Sequence, residues 1–375
     1  MLGIYEKLGV KRVINALGNA TVLGGSILSK DVVDAMLEAN SCFVEMWELQ
    51  ERTGAIVAEI CGAEAGWITP GAHAALVLSA AACIAGKDEE KIRRLPDTRG
   101  MKNQIILQAC QRYFFDRAME TAGGKLVIVG SEEGCTAEEI ESAINEKTAA
   151  ILYNVYKPEG AVPESEVIAI GKRHGVPVIV DAAYDVYPIT LFRKHVSMGA
   201  DLVCYGGKYF GAPNSTGFVV GRKDLIESIA LQSFIGYHWK RSGSIGRGYK
   251  LDRQEVISLV VALQNWIKMD HEKRIEENHR KVRYLKDRLS KIPEVKVEEM
   301  PERPAFIGLR VTLKDRTPEE TQGLYDRFIY GGDPKIAMNV EENTLIINVI
   351  ALKEGEEEVV ADRLEEVLSR HVRWE

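Results

Sequence analysis

A single lysine stands among glycines in CYGGKYFGAP, Cys204 to Pro213. Lys208 follows the apolar run Ala200 to Val203, and a second apolar run, Gly217 to Val220, comes shortly after it. A solvated loop lysine needs no such neighbours. Gly206, Gly207 and Gly211 instead favour close approach of a planar ligand to an amine at a strand end. Upstream, Asp181 closes the apolar run of VIVDAAYD. A carboxylate there is costly to bury unless a cation meets it, or unless it caps the next helix. The third group is WITPGAHAAL, where a short strand ends at Thr69-Pro70 and Gly71 opens an alanine-rich helix through Ala85. The free N–H groups of Gly71, Ala72 and His73 face outward at that helix start and suit a phosphate.

Together these are the three fixed points of pyridoxal 5'-phosphate: an anion site, a carboxylate for a protonated ring nitrogen, and a lysine for an imine. Asp181 would keep the ring an electron sink. Lys208 would hold the cofactor and, once freed by substrate, move the α-proton. The ring also needs a covering group. The strand ending at Ala109-Cys110 delivers QRYFF, so Gln111 or Arg112 is expected on the ring, with Tyr113 to Phe115 on the core side of a helix. His73 reads either as a structural helix-start residue or as a neighbour of the phosphate.

The elements that must position these groups are legible as alternation. QIILQA from Gln104, KLVIVG from Lys125, AAILYN from Ala149, PVIVDAA from Pro177 and ADLVCY from Ala200 read as buried strands. Helical segments lie between them, one opened by Thr136 with Glu139 as a capping box. Such alternation predicts a mainly parallel α/β sheet covered on both faces, with ligands at the carboxyl ends of the strands. We expect an N-terminal arm over 1–55, a large cofactor-binding domain over 56–252, a connecting long helix over 253–291 and a small C-terminal α+β domain over 292–375.

Composition narrows the function classes. The 375 residues are 46% hydrophobic and 27% charged, as in ordinary globular proteins. A net charge of −7 argues against nucleic acid or an anionic membrane as partner. No apolar run has the length of a membrane span, and the N-terminus lacks a signal-peptide layout. Six cysteines lie far apart without a CxxC pair, and the seven histidines show no metal-ligand spacing, so a cytoplasmic, metal-free protein is expected.

VINALGNATVLGGS (Val13 to Ser26), ELQERTGAIVAEICGAEAGWITPGAHAAL (Glu48 to Leu76), VIVDAA, GGKYFGAPNSTGFVVGR (Gly206 to Arg222) and IGRGYKLDRQEVISLVVAL (Ile245 to Leu263) together carry a resemblance. The chain is similar to the D-glucosaminate-6-phosphate ammonia-lyase-like branch of the bacterial selenocysteine synthase (seryl-tRNA(Sec) selenium transferase) family. GGDPKIAMN and LKEGEEEVVADRLEEVL extend the likeness over nearly the whole chain. It implies fold-type I architecture, active sites at a homodimer interface, the cofactor lysine at Lys208 and the ring aspartate at Asp181. Ser215 is expected as a further cofactor contact, and Asn15 with Arg247 as substrate contacts. Two departures stand out: His73 in a phosphate loop that usually has only small residues, and Asn339 where relatives tend to carry arginine. HWKRSGSIGRGYK, with Lys240, Arg241, Arg247 and Lys250, is then the expected source of charge for a distal substrate anion.

The implied activity is removal of ammonia from a phosphorylated amino-sugar acid, or a related amino acid, through an α-carbanion to a 2-oxo acid. Racemisation or epimerisation on the same carbanion is the first alternative, and a non-catalytic cofactor-binding protein the bland one. Selenium transfer onto seryl-tRNA is opposed by the acidic balance and by a chain that starts almost directly at VINALG.

Overall fold

The computed structural model describes residues 3–239, 243–303 and 305–369. The chain forms two compact units: residues 27–268, and the described residues up to Ser26 together with those from Met269 onward.

The larger unit is built on seven strands, β1 (Ala65–Thr69), β2 (Gln104–Gln108), β3 (Lys125–Val129), β4 (Thr148–Asn154), β5 (Val178–Asp181), β6 (Leu202–Gly206) and β7 (Gly217–Gly221). Their order is β1-β7-β6-β5-β4-β2-β3. Only β7 runs antiparallel to its neighbours. The five strands expected from apolar runs are therefore present, with ends within two residues of the runs. Successive residues alternate between two cores: Ile105, Leu107, Ile179, Leu202 and Cys204 pack on one face, Ile106, Val178, Val180, Val203 and Tyr205 on the other. Burying each such aliphatic side chain stabilises the fold by roughly 1.5–3 kcal/mol, which is why continuous apolar runs rather than alternating ones mark this sheet. Between β3 and β4 the helix Ala137–Ala143 starts on the Thr136–Glu139 capping box, with both reciprocal bonds present.

The register fixes the site. Asn154, Asp181 and Cys204 are paired across β4, β5 and β6. Residues beyond these strand ends emerge along one carboxyl edge, and β1, parallel to β6 through β7, ends there too.

The single connecting helix expected over 253–291 is instead two helices, Arg253–Lys268 and His271–Leu289. Asp270 caps the second by accepting from the Lys273 N–H, which ends the continuous pattern. The N-terminal segment also divides: Val13–Asn15 pairs in parallel with Lys335–Ala337 in the smaller unit, whereas residues from Ile27 on belong to the larger. The smaller unit has a four-stranded antiparallel sheet, β8 (Val295–Glu299), β9 (Gly308–Leu313), β10 (Asn339–Glu341) and β11 (Thr344–Asn348), in the order β10-β11-β9-β8. Among the described residues no helix is long and apolar enough to cross a membrane.

Candidate active site

The candidate anion cradle starts at Thr69, the last residue of β1. Gly71 sits at φ +82°, a conformation that L side chains rarely adopt, and turns the chain directly into the helix Gly71–Ala85. Thr69 Oγ1 donates to the Gly71 carbonyl at 3.0 Å and braces that turn. The first N–H groups of this helix have no intrahelical acceptor. His73 lies at the surface of this turn. Partial burial of its ring and then the positive charge of Arg117 hold its pKa below the usual histidine value, so it adds no full charge at neutral pH.

Asp181 ends β5 and is 3% exposed. Its Oδ1 accepts the Ala183 N–H at 3.1 Å and its Oδ2 accepts the Tyr113 hydroxyl at 2.5 Å. Burial pushes its pKa up to about 6, while these two hydrogen bonds pull the other way. It does not cap the following helix, Leu191–Met198, whose N-cap is Thr190. The capping role that sequence leaves open is thereby removed.

Lys208 follows β6 in the short turn Gly207–Phe210. Its amine is half-buried, its pKa is lowered by that burial, and Nζ stands 5.1 Å from the centroid of the Tyr209 ring. The glycines beside it serve the protein's own packing. A Cβ at Gly207 would come 2.3 Å from Thr216 Oγ1, and one at Gly206 would crowd the Ala183 carbonyl and the Tyr209 ring. A Cβ at Gly211 would meet nothing within 4 Å.

The other expected contacts differ in their surroundings. Gln111 is fully buried, and its amide donates to the backbone carbonyls of Asn154 and Lys157, so it has no surface to offer a ring. Arg112 pairs with Asp116. Tyr113 is not helical: it follows the turn Ala109–Gln111, packs partly buried against the core and reaches Asp181 with its hydroxyl. Phe114 and Phe115 are 92% and 59% exposed. Ser215 is exposed and donates to Glu255. Arg247 stacks over Tyr237 at 5.6 Å, and Lys250 is exposed. Lys240 and Arg241 lie outside the described residues. In the smaller unit, Asn15 Oδ1 accepts the N–H groups of Leu17 and Gly18 and closes a tight turn, while Asn339 is exposed at the start of β10.

What sequence reading missed is a tyrosine cluster. Tyr156, Tyr184 and Tyr209 each follow a strand end, those of β4, β5 and β6. Tyr156 and Tyr184 stack with centroids 3.4 Å apart, and Tyr184 meets Tyr209 edge-on at 5.7 Å. The Tyr184 N–H also donates to the Tyr156 hydroxyl. An aromatic just beyond each of three adjacent strand ends is a usable signal, because the carboxyl edge is where such side chains converge.

The L-seryl-tRNA selenium transferase (SelA) family matches residues 13–292. The chain belongs to this family. A 5'-C-glycyluridine monooxygenase-decarboxylase from Streptomyces sp is 32% identical across 98% of this chain and 92% of its own length. The D-glucosaminate-6-phosphate ammonia lyase of Salmonella typhimurium is 36% identical across 70% of each chain. A solved structure of D-glucosaminate-6-phosphate ammonia-lyase superposes with a TM-score of 0.82 at 29% identity, covering 98% of both chains. The architecture is that of the fold-type I pyridoxal-phosphate enzymes, as the sequence resemblance implies, and the chain is an enzyme of that kind.

Proposed function

We propose that the chain is a pyridoxal-phosphate-dependent carbon–nitrogen lyase. It releases ammonia from an amino-sugar acid phosphate, or a related amino acid, to leave a 2-oxo acid. The observation that carries this reading is the emergence of Asp181 and Lys208 from adjacent parallel strands, beside a helix start that suits phosphate. The likeness to a D-glucosaminate-6-phosphate ammonia lyase supports the reaction class.

The residues fit the cofactor. The N–H groups of Gly71, Ala72 and His73 would hold its phosphate, and the buried Asp181 carboxylate its ring nitrogen. Bound there, pyridoxal phosphate supplies a ring that withdraws charge from the substrate's α-carbon. Asp181 keeps a proton at the ring nitrogen, where an uncharged residue would not. The Lys208 amine, its pKa lowered by burial, is more often neutral near pH 7 than an exposed lysine and can accept the α-proton at Nζ. The tyrosine cluster shields this edge from water. Arg247 supplies charge for a substrate anion.

The functional unit is at least a homodimer. Ile27, Leu37 and Phe43 of the larger unit are 76%, 67% and 93% exposed, more apolar surface than a short stretch leaves uncovered in a monomer. The six cysteines are unpaired, in keeping with a reducing cytoplasm.

A second reading has a specific observation behind it: the likeness over 98% of this chain to a monooxygenase-decarboxylase. The same withdrawal of charge from an α-carbon would then lead to reaction with dioxygen and loss of carbon dioxide. Purified protein loaded with cofactor is assayed on phosphorylated and plain amino and amino-sugar acids, following ammonia, 2-oxo acid and dioxygen together. Ammonia and 2-oxo acid without dioxygen uptake support the lyase. Dioxygen uptake with decarboxylation replaces it, and exchange of the α-proton alone points to a racemase.

A further inference from the structure

We propose that Tyr113 is the positioning residue of Asp181: its hydroxyl fixes the carboxylate and holds it ionised so that it can face a cationic ring nitrogen. The role toward the ring rests on the function proposed above; the bond itself does not.

Among the described residues the Asp181 carboxylate has two protein partners, one per oxygen. Oδ1 accepts the Ala183 N–H and Oδ2 the Tyr113 hydroxyl. An ionised carboxylate offers about four lone-pair sites, so Oδ2 keeps one for a further donor. A hydroxyl bonded to a buried carboxylate stabilises its charged form, and removal leaves a desolvated anion with a single N–H. The proton between Asp181 and a ring nitrogen would then shift toward the carboxylate. Tyr113 is itself held in place: its backbone N–H faces Asp116, the buried partner of Arg112, and its ring meets Phe115 edge-on at 5.9 Å.

The titratable groups facing Asp181 among the described residues are Tyr113, Tyr156 beyond β4, Tyr209 beyond β6 and Cys204 on β6. Burial raises the pKa of all four above its ordinary value, so none titrates where Asp181 does. Lys208, beyond the end of β6, has its pKa lowered by burial.

The test uses cofactor-free protein with aspartate labelled by carbon-13 at the carboxyl. The resonance lost in Asp181→Asn identifies Asp181, and its midpoint is followed by pH titration. In Tyr113→Phe the midpoint should rise by about one pH unit, a tenfold gain in proton affinity. Placing 3-fluorotyrosine at position 113 alone keeps the shape, makes the phenol a stronger donor and should lower the midpoint. Phe114→Ala, in the same loop but exposed, should leave it unchanged. An unmoved midpoint in both Tyr113 variants overturns the proposal, and the fluorinated protein decides alone if Tyr113→Phe does not fold. With nitrogen-15 pyridoxal phosphate, the ring resonance should move toward the unprotonated value in Tyr113→Phe; no movement removes the role toward the ring. Failure of wild-type protein to bind the cofactor would count against the proposed function and leave the carbon titration intact.

Discussion

Gly217 lies directly beneath Gly71. A Cβ at position 217 would stand 2.6 Å from the Gly71 carbonyl carbon and 2.8 Å from the Ala72 nitrogen. The start of β7 thus supports the turn that aims the helix N–H groups, and it can do so only without a side chain.

Gly217→Ala should therefore displace the anion cradle. We expect cofactor affinity to fall tenfold or more, about 1.4 kcal/mol, and the fold to lose about 1–3 kcal/mol to overpacking. Gly211→Ala is the control: φ is +84° there but the space is open, so it should cost roughly 1 kcal/mol in strain and leave cofactor titration unchanged. Fluorescence titration with pyridoxal phosphate and thermal melts separate the two.

The Lys208 amine is half-buried at the strand edge, and Lys208→Ala removes the only atom of that side chain able to bond an aldehyde. Wild-type protein treated with cofactor and borohydride should carry the label on the peptide containing Lys208. The variant should carry none there and lose turnover by several orders of magnitude. Mass spectrometry of the peptides reads the outcome.

Asp181 yields a pH prediction. Its pKa rises from 3.8 to about 6 in the folded chain, so between those values the folded state holds more protons than the unfolded. Its stabilising contribution is present below pH 3.8 and declines as pH rises toward 6, a cost of up to about 3 kcal/mol at neutral pH. Asp181→Asn should thus melt higher than wild type at pH 7 without cofactor and match it near pH 4. With cofactor the same variant should lose turnover by several kcal/mol of barrier, because an amide cannot hold a proton on the ring nitrogen. A melting difference independent of pH would argue against an ionised Asp181.

The sheet was legible because β4, β5 and β6 are buried on both faces, which forces continuous apolar runs such as VIVD and LVC. Asp181 and Lys208 were legible because each interrupts that logic with a charge at a strand end. Tyr113 was not: in QRYFFDR an aromatic triplet looks like core, and only the turn at Ala109–Gln111 sends one ring to Asp181 and leaves Phe114 in solvent. Gln111 shows the converse. A polar side chain at a promising edge is consumed by Asn154 and Lys157, an obligation of the backbone that no local pattern displays. The break at residues 269 and 270 was hidden because polar helical periodicity resumes at once in HEKRIEENHRKV, and one capping aspartate makes the division.

Arg247 is the residue proposed to hold a substrate anion. An ammonia lyase for a phosphorylated sugar acid must neutralise an α-carboxylate and a distant phosphate, since an unpaired buried oxyanion is prohibitive. Asn339 has no charge to give, and Asn15 is committed to the turn at Leu17 and Gly18. Arg247 rests on the Tyr237 ring in the turn Ile245–Gly248, a stacking that leaves the edge of a guanidinium open to a bidentate acceptor. Arg247→Ala should raise KM at least tenfold while the cofactor spectrum stays as in wild type. Arg247→Lys should restore little, because an ammonium lacks the fork. The same assays on a phosphorylated substrate and its unphosphorylated counterpart locate the contact. Equal loss on both assigns Arg247 to the carboxylate, and loss on the phosphorylated one alone assigns it to the distal group. If neither changes, Arg247 is not a substrate residue, and the case for a phosphosugar acid loses its main support among this chain's own side chains.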